Sequence, residues 1–436
     1  MIRALIVAAT LVVAGPALAA VEIQEVESPG GITAWLVEEP SIPFVALELR
    51  FQGGAALDPE GKRGVTNLMM GLLEEGAGEL DARAFAAARE SLAASFEFDA
   101  YDDSVSISAR FLTENRDEAV ALLREALIAP RFDADAIERV RAQVLSIIRS
   151  DAQDPNAIAA QTFDGLVFGD HPYGASRDGT LDSVAALTRD DIVAAHETVL
   201  NRANIFVGAA GDITPEELAQ LLDALLGDLP QGAPLEVTDA PYLLEGGKTI
   251  VPFDTPQSVA FFGHRGIKRD APDFFAAFIA NEIFGGRGLQ SRLSTEVREK
   301  RGLTYGIGTF LAELDGAPLL LGQSATENAR MGEAIDVIKA EWARVAAEGF
   351  TEEEVAEAKT YLTGAYPLRF DGNGPIAGIL VGMQMEGLPI DYIETRNDKV
   401  NAVTVADVNR VAAGLYDPEA LHFVVVGRPE GIEPSN

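Results

Sequence analysis

The chain reads as an α+β protein built twice over, with each copy a mostly antiparallel sheet packed with helices. Three observations carry this. Similar segments recur in the same order, strands with a two-residue alternation precede helices with a one-sided apolar stripe, and a Pro/Gly-rich stretch separates the copies. The strand IPFVALELRF (42–51) resembles PQSVAFFGHR (256–265), and FLTENRDEAVALLREAL (111–127) resembles SATENARMGEAIDVIKAEW (324–342). FDADAIERVRAQVL (132–145) resembles FTEEEVAEAKTYL (350–362), LTRDDIVAAHETVL (187–200) resembles VTVADVNRVAAGLY (403–416), and NIFVGAAGDI (204–213) resembles LHFVVVGRPEGI (421–432). Landmarks in the two copies pair 45 with 259, 113 with 326, 132 with 350, 188 with 404 and 211 with 427. The offset is nearly constant, as a duplication requires. The expected units are domains 20–230 and 248–436, joined by a linker at 231–247 whose Pro and Gly content suits irregular chain.

Within each copy the elements follow in order. Val105, Ile107, Ala109 and Phe111 alternate and give one buried strand face. Asn115 followed by Glu118 is placed to cap the next helix, and Ala119, Leu122, Leu123, Ala126 and Leu127 form its apolar stripe. In the second copy TYGIGTF, the turn ELDGA and PLLLGQSA make a hairpin before the matching helix. FDGNGPIAGIL (370–380) reads as a turn leading into a helix.

Composition excludes several function classes. The 436 residues include 68 acidic and 34 basic side chains, for a formal net charge of −34. Neutralising phosphates needs Lys/Arg surfaces, so nucleic acid and anionic membranes are poor partners. At 47% hydrophobic and 23% charged the chain is globular. It has no cysteine, hence no disulfide framework and no thiolate chemistry. The opening MIRALIVAATLVVAGPALAA has one basic residue, a short apolar run and the small-residue pattern Ala17, Leu18, Ala19. Residues 1–19 therefore read as a secretory signal peptide, which places the mature chain in the periplasm without a membrane segment.

One stretch stands out for chemistry. SRLSTEVREKRGLTYGIGT (291–309), preceded by FGGRGLQ (284–290) and accompanied by HPYG (171–174), is similar to the C-terminal-domain signature of the insulinase/pitrilysin family of zinc peptidases. The resemblance spans essentially the whole mature chain. It implies two-domain, pseudo-twofold subunits that close on a peptide like a clamshell. It also implies roles for Arg298 and Tyr305, the residues matching the family's Arg/Tyr pair, and for the glycine-rich Gly285, Gly286 and Gly288 in contacting substrate. From the residues alone, Arg298 also reads as a surface ion pair with its flanking Glu296 and Glu299, Tyr305 as a strand aromatic, and the glycines as a helix terminus needing positive φ.

The family's metal motif is H-x-x-E-H, two His on one helical face with a Glu that activates water. Here Asn67 and Gly71 stand at the histidine positions and Met70 at the Glu position. The later helix offers Ser146, Ile147 or Ile148 where a further Glu belongs. Glu74 and Glu75 read as solvated, His171 as a turn residue, and no two of the four histidines are spaced for a shared metal. The expectation is no metal in this chain. Zinc would sit in a related H-x-x-E-H partner subunit that completes the site on a peptide substrate. The alternative is a scaffold or peptide-binding subunit of the same fold.

Overall fold

The computed structural model describes residues 22–235 and 238–435. The segment expected to be a signal peptide lies outside the described residues. Two large sheets organise the molecule. The first orders its strands as Gln24–Glu27, Thr33–Glu38, Ile205–Gly211, Phe44–Gln52, Ser104–Leu112 and Ser95–Ala100. The second orders Gly247–Pro252, His422–Gly427, Gln257–Arg265, Ala317–Glu327 and Ile307–Leu314. Leaving out the first strand, the two orders correspond one to one. Each sheet has a single parallel pair, at the same place: Thr33–Glu38 with Ile205–Gly211 and Gly247–Pro252 with His422–Gly427. Register repeats as well, since Val45 faces Phe111 and Val259 faces Ala325. The duplication expected from sequence is thus present in topology.

Local physics explains the elements. On Phe44–Gln52, the alternate residues Val45, Leu47, Leu49 and Phe51 are fully buried against the helices of their own half. The helix Arg116–Ile128 buries the expected stripe from Ala119 to Leu127. Its start differs from expectation. Asn115 does not cap it; the side chain donates instead to the Leu92 carbonyl at 2.9 Å. Its counterpart Asn328 likewise reaches sideways, to the Thr255 carbonyl at 2.8 Å. The repeated T-E-N serves to tie the strand-to-helix junction to a neighbouring loop, a role that local spacing does not reveal.

Each sheet also has a second face, and the other half of the chain covers it. The helix Pro155–Phe168 packs on Gln257–Arg265 and His422–Gly427 of the second sheet, with Phe163 and Phe168 among Val259, Leu321 and Val424. Reciprocally, Asn373–Met385 packs on Ile205–Gly211 and Phe44–Gln52, with Ile376, Ala377 and Leu380 against Trp35, Val37 and Ala210. The approach is close: a Cβ on Gly208 would lie 2.4 Å from the Ala377 carbonyl oxygen, so only glycine fits there. The two halves are interlocked by exchanged helices.

A polar clasp adds to this at H-P-Y-G. The Tyr173 hydroxyl donates to Asp103 of the first half and accepts from Gly316 N–H of the second at 3.0 Å. Asp103 also accepts from Asp315 N–H at 3.1 Å. Burial, with the charges of Asp315 and Asp102 adding to it, pushes the Asp103 carboxyl up to about 6.

Candidate functional site at the Arg298 and Tyr305 cleft

The helix Phe274–Asn281 runs on into a π-helical turn, Glu282–Gly286, and a second π-helical turn spans Ser294–Glu299. Such widened turns interrupt regular helix packing and re-aim side chains. The chain then reverses at Gly302, whose φ of +58° is the left-handed region that glycine adopts without strain. Leu303 drops into the core and its N–H bonds the Val297 carbonyl at 2.9 Å. The Thr304 hydroxyl lies 2.8 Å from both the Gly306 and Ala325 carbonyls and accepts from Gly306 N–H at 3.1 Å. Arg330 holds the Gly302 and Arg301 carbonyls at 3.0 and 3.1 Å.

Tyr305 therefore sits between two anchored residues while its own side chain is 89% exposed. The strand begins two residues later, at Ile307, so Tyr305 is not the strand aromatic that its sequence context also allowed. Arg298 lines the same cleft of about 430 Å³, together with Glu299, Thr304, Gln257, Glu327 and Arg330. The ion-pair reading of Arg298 does not hold among the described residues. Glu296 is taken by Lys300 at 2.7 Å and Arg301 at 2.8 Å, which hold its carboxyl below the usual range. Arg298 makes no side-chain hydrogen bond or ion pair among the described residues. A free guanidinium and a free phenol thus face one cleft from a rigid loop. That arrangement can bind a carbonyl or carboxylate and donate to a developing oxyanion. Sequence reasoning missed Thr304 and Arg330. The only signal for them was adjacency, Thr304 preceding the tyrosine and Arg330 following the repeated T-E-N.

None of the three glycines lines this cleft. Gly285 lets the turn close onto the strand Ile307–Leu314, since a Cβ would lie 2.2 Å from Thr309 Oγ1 and 2.7 Å from Thr309 N. Gly286 is tight against Glu282, with 3.0 Å from a Cβ to the carboxylate. Gly288 has φ +57° and open space around it, which matches the helix-terminus reading.

The degenerate metal motif occupies the helix Val65–Met70 and the Gly71 that ends it. Asn67 donates to Asp178 at 2.9 Å, and Met70 is buried in the core. A Cβ on Gly71 would come within 3.2 Å of Val140, so that position has been closed by packing. On the helix Ala134–Asp151, Ser146 and Ile147 face solvent and Ile148 leans on the core. An amide, a thioether and a missing side chain do not fit a zinc ion. Glu74 and Glu75 pair with Arg89 and Arg139. Among the described residues no group of three or more His, Cys, Asp or Glu side chains is placed to hold a metal. The four histidines all have hydrogen-bond partners: His171 accepts from Tyr173 N–H, His196 meets the Leu127 carbonyl, His264 meets Trp342, and His422 meets Thr249.

Comparison with known proteins points to one family. The family described as "Insulinase (Peptidase family M16)" matches residues 34–176, and "Peptidase M16 inactive domain" matches residues 186–362. A curated relative, "Non-peptidase homolog YmxG" of Helicobacter pylori, is 26% identical over 89% of this chain and 90% of its own length. "Uncharacterized zinc protease ML0855" of Mycobacterium leprae is 28% identical over 71% of this chain and 70% of its own. A crystal structure described as a peptidase M16 inactive domain from Pseudomonas fluorescens superposes with a TM-score of 0.89 at 26% identity, over 95% of this chain and all of that one. The chain belongs to the insulinase family, peptidase family M16, as a member without the family's zinc motif.

Proposed function

We propose that this chain is the non-zinc subunit of a heterodimeric zinc peptidase of the periplasm, and that it supplies Arg298 and Tyr305 to a site completed by a related H-x-x-E-H subunit. The observation that carries this is the pair itself: two side chains suited to a carbonyl and an oxyanion, unpartnered, in one cleft, and held by an anchored loop. Peptide hydrolysis passes through a tetrahedral intermediate whose oxygen becomes anionic. The Tyr305 hydroxyl would donate to that oxygen, and the hydrogen bond strengthens as charge develops. Arg298 would hold a substrate carbonyl or carboxylate with its forked donors. The zinc and the water-activating carboxylate would come from the partner. The edge strand Ile307–Leu314 starts two residues after Tyr305, so a substrate segment added to that edge would pass the hydroxyl.

A second reading has an observation in its favour. The Helicobacter relative carries the name of a non-peptidase homologue, which suits a scaffold or peptide-binding subunit with no part in the chemistry. The two separate on assembly. Purified alone, the chain is expected to hold no stoichiometric zinc by atomic absorption and to cleave no peptide. Mixed with an H-x-x-E-H chain of the family, it is expected to form a complex that does. Zinc and activity in the isolated chain would remove both readings, and a stable complex without activity would leave the scaffold reading.

A further inference from the structure

A cleft of about 940 Å³ lies between the two halves and shares no residue with the Arg298/Tyr305 cleft. Its walls run against the composition of the chain. Acidic side chains outnumber basic ones two to one overall, yet Arg269, Arg369 and Arg396 converge here beside Tyr366 and Tyr392. Arg396 is only 6% exposed. Its guanidinium lies 4.3 Å over the Tyr366 ring and 5.8 Å from that of Phe278. Nη1 donates to the Leu362 carbonyl at 2.9 Å and to Asn397 at 3.0 Å. Nε and Nη2 have no partner among the described residues and are left to the cleft. Arg269 donates to the Tyr392 hydroxyl at 2.9 Å and lies 4.4 Å over Phe274. Arg369, exposed on the rim, has neither a hydrogen bond nor an ion pair among the described residues.

A buried guanidinium resting on aromatic faces recovers only part of the hydration it has lost. Burial pulls the Arg396 pKa down, and the charges of Arg369 and Arg269 act in the same direction. An anion entering the cleft would meet Arg369 together with the Arg396 nitrogens that the described residues leave unbonded. Four acids also line the cleft: Asp102 is paired with Arg63, Asp103 is engaged by Tyr173 and Asp315 N–H, and Asp315 and Glu386 are the others. Apolar side chains, among them Phe275, Phe278 and Ile379, complete the wall.

We infer that this cleft binds a peptide segment by its carboxylate, with Arg396 and Arg369 forking the carboxylate and Phe275 and Phe278 taking the apolar side chains before it. An inorganic phosphate would fill the arginine end but not the apolar wall. The size and lining suit several residues of extended chain. The carboxylate can be a C-terminus or an acidic side chain, since both present the same fork.

Binding needs no partner subunit, so the test is separable from the proposed peptidase role. The probe is a fluorescein-labelled hexapeptide with apolar residues and a free C-terminal carboxylate, read by fluorescence anisotropy on the isolated chain. Its C-terminally amidated form and an amidated form carrying one Glu distinguish the two carboxylate sources. Either carboxylate form is expected to bind at least about tenfold more tightly than the neutral amide, and to weaken as salt rises. Arg369→Gln, a surface change that leaves the fold intact, is expected to abolish that preference. Arg396→Gln, checked by circular dichroism, is expected to do the same. Equal binding of the neutral amide, an unchanged preference in Arg369→Gln, or displacement of the peptide by sub-millimolar inorganic phosphate would overturn the inference.

Discussion

The exchanged helices make a quantitative prediction about folding. Phe163 belongs to the first half but is fully buried on the second sheet, edge-on to Phe261 with ring centroids 5.3 Å apart. Phe163→Ala removes that contact and leaves a cavity, at a cost of about 3–5 kcal/mol. Urea slopes rise with the surface exposed on unfolding, from ~1–3 kcal/mol/M in small domains. At about 4 kcal/mol/M the midpoint falls by about 1 M. The chain provides its own reporters, since its only two tryptophans are Trp35 on the first sheet and Trp342 in the core of the second half. Single-tryptophan backgrounds, Trp35→Phe and Trp342→Phe, read each half by fluorescence. If the halves are interlocked, Phe163→Ala shifts both reporters by the same amount relative to their own backgrounds. A shift of Trp342 alone, with Trp35 unmoved, would refute the claim that the reciprocal helices couple the halves.

Two further predictions concern the clasp and the glycine segment. The Asp103 carboxyl has a folded pKa of about 6, above its unfolded value of ~3.9, so it penalises the fold fully above pH 6 and the penalty fades as pH falls through 6 toward 4. Asp103→Asn should therefore be the more stable by on the order of 1–2 kcal/mol at pH 7.5, after allowance for solvent screening, and this advantage should shrink to about a third by pH 4.5 and be gone only below the unfolded pKa, by about pH 3. A difference that stays flat across that range in denaturant titrations would contradict the assignment. Gly285→Ala drives a methyl into Thr309 and should cost about 1–3 kcal/mol. Gly288→Ala meets open space and should cost about 1 kcal/mol through its positive φ alone. Thermal melts giving the reverse order would count against this account of the segment.

Much of this architecture was legible because it rests on local periodicity. The alternating Val45 to Phe51 and the stripe from Ala119 to Leu127 each name a buried face without reference to anything distant. Duplication then carried the strand order from one copy to the other. The exchanged helices were not legible in this way. AIAAQTFDGLVF and PIAGILVGMQM are apolar over most of their surface, which announces burial but not the partner. Asn115 has the spacing of a cap, yet a loop carbonyl reached through tertiary packing competes for its amide. The cleft of Arg298 and Tyr305 was half legible. The two residues and Gly302 between them could be named, while the anchoring of Tyr305 by Thr304 and Arg330 depends on strand pairing. The arginines at 269, 369 and 396 lie too far apart in the chain for any spacing to link them.

The most direct measurement is the turnover of the reconstituted pair carrying Tyr305→Phe. Removing one oxyanion donor costs ~2.7–4 kcal/mol, so kcat should fall by about 10²–10³. Affinity between the subunits, read by analytical ultracentrifugation, should stay as it was, because the side chain is exposed and unpartnered in this chain. An unchanged kcat in a fully assembled complex would contradict the claim that this subunit contributes a hydroxyl to hydrolysis.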